Sequence, residues 1–310
     1  MTAIITSMTT PTLITFFGSD QYSAVVMQGL IASPKVDVTS LITIESVSAH
    51  PLHQLASTHN IPITLYSPDL TLTHPTGVAV LASFGHILPP DIISLFPGGI
   101  LCLHPSLLPQ YRNTSPVPYA IALGDKMTGV TLFRIDNSID NGKILAQSEE
   151  PILDSDTSPV LLKRLFTLGT NLVISHLTSP TEFTESTAST EPLIFTHRLT
   201  TESGHLEWEV VQKLINNHPI ITSDTKNKLL QLRLTRQGSE LSGSSEPRII
   251  LTDLIRALDG WEKVWTIADT KKGDLRISLV TKDSNILVHL AGKPNPISYS
   301  NFHKYYLSNK

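Results

Sequence analysis

The 310-residue chain has a single cysteine, Cys102. A disulfide framework and a four-cysteine zinc site are both excluded. Aromatic residues make up only 6% of the sequence, too few for aromatic stacking on single-stranded nucleic acid to be the main binding mode. Basic residues are scarce at the start: the first is Lys35, and the first arginine is Arg112. That pattern predicts neither a secretory signal nor an organelle transit peptide. Apolar runs are short; the best, around Gly77–Ser83, falls far below the roughly 18 residues of a membrane span. A soluble cytoplasmic protein without a membrane partner is expected, its thiol reduced.

Hydrophobic residues are plentiful at 40%, too many for a disordered chain. The length suggests two domains. Net charge is only -4, so the whole molecule is no polyanion binder. The charge is uneven, however. Residues 1–180 hold 7 basic and 12 acidic residues, whereas residues 225–310 hold 14 basic and 8 acidic. The basic C-terminal portion is either an ordinary solvated face or a surface for an anionic partner.

Short apolar runs alternate with helical stretches in the first half. Thr12–Phe17, Val36–Ile44, Ile61–Tyr66, Gly77–Ser83 and Gly99–His104 read as strands. Tyr22–Ile31, Pro51–His59 and Asp91–Phe96 read as helices between them. That alternation predicts a parallel sheet with crossover helices. Thr131–Arg134 and Ile144–Gln147 add strands, and Ser158–His176 a helix. Ser179–Glu191 is polar and lacks periodicity, which reads as a linker. Beyond it, Lys228–Arg236, Val264–Ile267, Leu275–Val280 and Asn285–Leu290 read as strands of a small β domain, with Ser239–Pro247 a loop. The tryptophans Trp208, Trp261 and Trp265 read as core. His50 and His53 lack further metal ligands and read as surface residues.

The chemistry concentrates in Gly99–Gln147. His104 ends a buried strand and is followed at once by Pro105; in open parallel sheets, ligands bind at the carboxyl ends of strands. Cys102 lies two residues earlier, on the same strand face. Asp136 and Asp140 sit in a turn-rich segment, DNSIDNG. A buried carboxylate beside His104 would fix its tautomer and support its charged form. From spacing alone, a structural histidine and a catalytic one both remain open.

HPSLLPQYR, SPVPYAI, GDKMTGVT and D-x-x-x-D-x-G together resemble the folate-dependent formyltransferases. The family pattern is Asn-x-His-x-Ser-Leu-Leu-Pro with an Asp 36 residues after the His, the separation of His104 and Asp140 here. FFGSDQYSAVVMQGL resembles the family's first strand and helix, and SFGHILP the segment lining the pterin pocket. THRLTTESGHLEW, IRALDGWEKVWT and GKPNPISYSNFHKYY resemble the C-terminal part of the methionyl-tRNA branch.

The resemblance implies an α/β chain: a Rossmann-like parallel-sheet formyltransferase domain over residues 1–181, a linker over 182–205, and a smaller, OB-like β-barrel domain over 206–310 that binds tRNA. It implies formyl transfer from 10-formyltetrahydrofolate to the α-amino group of initiator methionyl-tRNA in translation initiation, by a monomer without a metal. The rivals are an amino-sugar N-formyltransferase and an inactive folate- or RNA-binding relic. By position the catalytic residues are Cys102, His104 and Asp140. His86, Ile87, Leu88, Ser106, Leu107, Leu108, Pro109, Asp136 and Ile139 would hold the folate. Arg112, Asn113, Lys271 and Lys272 would meet the acceptor.

Three departures stand out. Cys102 replaces the family's asparagine, and a thiol is a weak donor. The enzyme is then slow or inactive, or another donor such as Asn113 compensates, or the thiol itself acts as a nucleophile with His104 as base. The basic loop of the methionyl-tRNA branch is replaced by TIESVSAH, without Arg or Lys. Finally, the stretch between Trp208 and Arg256 is longer than the family usually has.

Overall fold

The computed structural model describes residues 10–44, 50–72, 75–179, 193–236, 247–283 and 285–307. Residues 182–192 of the linker, 239–246 of the loop at Ser239–Pro247 and 45–49 of the TIESVSAH segment lie outside them. The described chain divides into two compact units that interleave in sequence. One holds residues 1–113, 129–150 and 162–195; the other holds 114–128, 151–161 and 196–310.

The first unit is built on a sheet of seven strands. These are β1 (Thr12–Phe17), β2 (Val36–Thr43), β3 (Ile63–Leu65), β4 (Val78–Ala82), β5 (Ile100–His104), β6 (Met127–Arg134) and β7 (Ile144–Pro151). They lie in the order β3-β2-β1-β4-β5-β6-β7. The pairs among β1 to β5 are parallel, and β6 runs antiparallel to β5. Every residue of β5 is buried, as its continuous apolar run requires when both faces are covered. Helix α1 (Gln21–Ile31) begins at Asp20, whose carboxylate accepts from the Tyr22 and Ser23 amides. The Ser23 hydroxyl returns to the Asp20 backbone, closing a capping box. Helix α2 (Pro51–Thr58) is capped by the His50 ring, which accepts from the Leu52 amide. His53 is buried rather than on the surface; its place one turn into a packed helix overrides the polarity of its ring.

On one face of this sheet Phe17, Ile42, Leu81, Cys102 and Phe133 pack with Ile92 of the short helix α3 (Pro90–Ser94). Leu81, Cys102 and Phe133 are register partners across three adjacent strands. They make a continuous apolar floor.

The second unit holds α4 (Pro116–Leu123), part of α5 (Ser158–Thr178), and α6 (Trp208–Ile215), α7 (Lys228–Arg236), α8 (Pro247–Leu258) and α9 (Tyr299–Tyr306). Its antiparallel sheet runs β11-β10-β9-β8, from β8 (Val264–Thr270), β9 (Gly273–Lys282), β10 (Asn285–Leu290) and β11 (Ile297–Ser298). All eight residues of α4 are buried, packed on α7 and α8.

Lys228–Arg236 is a helix, not the expected strand. Its buried residues are Leu229, Leu230, Arg233 and Leu234, a helical spacing. Counting Arg233 as outward-facing produces a false alternation. In fact Arg233 is only 2% exposed. Its Nη1 donates to Asp253 Oδ2 at 2.7 Å and to the Ala122 carbonyl at 2.9 Å. Asp253 Oδ1 accepts from Arg256 Nε at 3.0 Å, and Arg256 reaches the Leu153 and Asp156 carbonyls. Gly124, at φ 79°, leaves room for the guanidinium: a Cβ there would meet Arg233 at 2.8 Å. The tryptophans are also not all core, since Trp261 is 40% exposed and Trp265 lies under the Arg276 guanidinium at 3.9 Å. A large ring on a strand with one solvated face is covered by a neighbouring side chain instead of a second layer.

Candidate active site

A cavity of about 500 Å³ opens in the first unit. Leu81, Cys102 and Phe133 form its floor, and Ile87, Leu88 and Pro89 one wall. The segment Asp136–Asp140 borders it on another side. Small-molecule sites commonly have volumes of roughly 300–1,000 Å³ and apolar linings with a few polar groups.

His104 ends β5 and is nearly buried. Its Nε2 lies 2.9 Å from the Tyr111 carbonyl. A carbonyl only accepts, so Nε2 carries the hydrogen and the neutral ring presents a bare Nδ1. Asp140 Oδ2 lies 3.7 Å from that Nδ1. The same oxygen accepts from the Asn113 amide at 2.7 Å. An Nδ1 that takes up a proton therefore acquires a fixed counter-charge beside it.

This arrangement is held on a strained backbone. Tyr111, Asn113 and Asp140 have φ of 58°, 80° and 47°, a region unfavourable for residues with a Cβ. Such strain gathers at functional sites. The segment after Asp140 closes on Gly142, where a Cβ would come within 1.8 Å of the Arg134 carbonyl oxygen.

Cys102 faces the cavity. Burial, and secondarily the Asp140 carboxylate, push its thiol well above the usual thiol range. A thiol that stays protonated is a poor nucleophile, so the nucleophilic reading lacks its activated group.

The residues named from the sequence fall into four sets. His86, Ile87, Leu88, Asp136, Ile139, Asp140 and Cys102 line the cavity. Ser106, Leu107, Leu108 and Pro109 form the adjoining turn: the Ser106 hydroxyl donates to the Gln110 carbonyl, and the Leu108–Pro109 bond is cis. Arg112 pairs in a bridge with Phe195 and lies over its ring, and Asn113 serves through its backbone amide. Lys271 and Lys272 are in the second unit, at the β8–β9 turn.

Other groups carry no motif. Thr131, opposite His104 in the β5–β6 register, donates to the Ser106 carbonyl and accepts from Leu108 and Gln147. Gln147 also donates to the Leu108 carbonyl at 2.8 Å. These two side chains pin the turn after His104. Their one sequence signal is Thr131's place on the neighbouring strand. Tyr66, at the end of β3, and Asn137 join the cavity lining. Asn137 was findable, since it lies between the named Asp136 and Ile139.

Among the described residues no cluster of His, Cys, Asp and Glu is placed to hold a metal ion, and no helix is long and apolar enough to cross a membrane.

A family model described as "Formyl transferase" matches residues 69–177. A methionyl-tRNA formyltransferase of Roseiflexus sp. is 33% identical over 220 residues, which cover 64% of this chain and 66% of that protein. Another from Corynebacterium diphtheriae is 31% identical over 230 residues, covering 66% of this chain and 72% of its own length. A third, from Corynebacterium aurimucosum, is 32% identical and 68% covered. Among solved structures, a sugar N-formyltransferase from Shewanella sp. superposes with a TM-score of 0.53 at 18% identity, covering 87% of this chain and 97% of that one. At that identity the likeness concerns the fold.

Proposed function

The chain belongs to the methionyl-tRNA formyltransferase family, and from that premise we propose that it moves a formyl group from 10-formyltetrahydrofolate to the α-amino group of methionyl-tRNA. The single observation that carries the reading is the meeting of Cys102 and Asp140 at one cavity with His104 Nδ1 beside the Asp140 carboxylate.

The residues present fit a folate. Its flat ring system suits the apolar floor of Leu81 and Phe133 and the Ile87–Leu88 wall, while Asp136 and the adjacent loop offer polar partners. The bound folate supplies an activated formyl group. As the amine attacks the formyl carbon, His104 takes its proton at Nδ1, the nitrogen left bare by the Tyr111 bond. The bond from that carbon to N10 then breaks as the proton passes to N10 of the departing tetrahydrofolate. Asp140 stabilises the resulting imidazolium from 3.7 Å, and the Asn113 amide keeps the carboxylate in place. Thr131 and Gln147 keep the turn after His104 from shifting.

Cys102 stands where a donor is needed as negative charge develops on the formyl oxygen. A buried thiol serves that need poorly. Losing one such donor costs about 3 kcal/mol, or roughly 100–1,000-fold in rate. Slow turnover follows for the native chain. We assign acceptor binding to the C-terminal portion, on the basic excess of residues 225–310.

Single-turnover transfer from 10-formyltetrahydrofolate to methionyl initiator tRNA tests the reading. Native chain, Cys102→Asn and His104→Ala are compared. Transfer by the native chain or by Cys102→Asn above the His104→Ala blank supports it. No transfer by either removes the methionyl-tRNA assignment.

A further inference from the structure

A second cavity, of about 480 Å³, lies wholly in the C-terminal unit. Ile215 and Leu287 contribute apolar surface, and Tyr299, half-buried and in ring contact with His303, also lines it. Arg248 and Lys282 line it from two different elements, α8 and β9. Neither has an ion-pair partner among the described residues. Asp283 is the one described carboxylate in the lining.

The placement of Arg248 is locally unfavourable. It falls in the first turn of α8, which holds no acidic residue. A cation there opposes the helix dipole. Locally unfavourable choices of this kind concentrate where function outweighs stability. Two cations outside any ion pair among the described residues, against one carboxylate, around an apolar floor with a tyrosine, match a group that is anionic at one end and flat and apolar at the other.

We propose that this cavity binds one nucleotide unit of the RNA acceptor, its phosphate held by Arg248 and Lys282 and its base against Tyr299. The inference rests on the methionyl-tRNA reading and adds a site for that substrate. The phosphate contacts give affinity without sequence discrimination. The base contact tolerates any base, because every base has a π-face. Burial raises the Tyr299 phenol above its ordinary range, so the ring stays neutral beside a phosphate.

The test uses the full chain and a methionine initiator tRNA transcript, with affinity followed as salt is varied. Arg248→Ala/Lys282→Ala is compared with native and with Lys263→Ala/Lys293→Ala, which removes equal charge outside the cavity. We expect the cavity variant to lose affinity about tenfold and the slope of log K against log salt to fall by about one, since one phosphate contact is lost. The control should lose much less of either. Arg248→Lys/Lys282→Arg should restore binding, which shows that the fold survives. In formyl transfer, KM for methionyl-tRNA should rise while kcat and KM for the folate hold.

Native-like affinity and slope in the cavity variant overturn the proposal, even when native transfer is intact and the methionyl-tRNA reading stands. Absent transfer with RNA binding that still depends on Arg248 and Lys282 overturns that reading and keeps the site. Adenosine monophosphate is the probe for a free nucleotide. Should it bind through Arg248 and Lys282 without competing with the tRNA, the RNA assignment is wrong.

Discussion

Two buried ionic clusters, one in each unit, are built to opposite specifications. In the second unit, Arg233, Asp253 and Arg256 meet at 2.7 and 3.0 Å, and three backbone carbonyls take up further guanidinium hydrogens. In the first, His104 and Asp140 stand 3.7 Å apart, on backbone in the left-handed region at Asp140, and Asp140 lines a cavity. The tight cluster has little freedom and little access. The loose one has a nitrogen without a hydrogen, a nearby counter-charge and room for a reactant. Burial of charge thus says little by itself; slack and access separate a proton-handling pair from a structural one.

Breaking the tight cluster should have the largest effect on the fold. Arg233→Ala leaves Asp253 short of a partner in an apolar setting. Loss of one member of a buried pair costs about 3–5 kcal/mol, and urea unfolding should show it. Arg233→Met with Asp253→Leu removes both charges and should recover much of that loss. A single variant within about 1 kcal/mol of native would mean that Arg256 alone satisfies Asp253.

Breaking the loose pair should do the reverse. His104→Ala should cost only about 1 kcal/mol of urea stability, because the buried ring gives up one hydrogen bond to a carbonyl. Formyl transfer should fall about 10²–10⁴-fold. A large stability loss without a rate loss would make His104 structural, like Arg233. Cys102→Asn sharpens the contrast, adding an amide donor on the same strand face. Transfer should rise by up to about 100–1,000-fold, read by single-turnover kinetics. A gain below tenfold would show that another group already serves the oxygen.

The same contrast explains what the sequence discloses. The strand ILCLH and the turn HPSLLP announce themselves, because one buried run ends in a titratable group at a proline. The Asp136–Asp140 spacing is equally visible, because side chains carry it. The partner of His104 Nε2 is hidden, because a backbone carbonyl leaves no mark in the residue at position 111. Thr131 and Gln147 are hidden for a related reason: sheet register sets their contacts across a distance in sequence. Arg233 is concealed by its charge. A buried arginine at a core position of α7 breaks the apolar count on which periodicity depends, so helix reads as strand. Charge helps find the loose pair and obscures the tight one.

A third arrangement, in the first unit, gives the comparison its weakest case. Burial, and then the Arg134 charge, hold the His176 imidazole below its ordinary range. Here like charges meet with no counter-ion among the causes of the shift, unlike either cluster. Protonation is harder in the folded chain than in the unfolded one, whose histidine titrates near about 6.5. Below that value the unfolded state takes up more protons, so stability falls as pH drops. Above it both forms are neutral and the histidine has no effect. His176→Gln should therefore leave the urea midpoint at pH 7.5 unchanged and flatten its decline toward pH 5, by a small margin because the ring is partly solvated. An unaltered decline in the variant would mean that neither burial nor the Arg134 charge holds the His176 imidazole down, and that this ring titrates alike in the folded and unfolded chain.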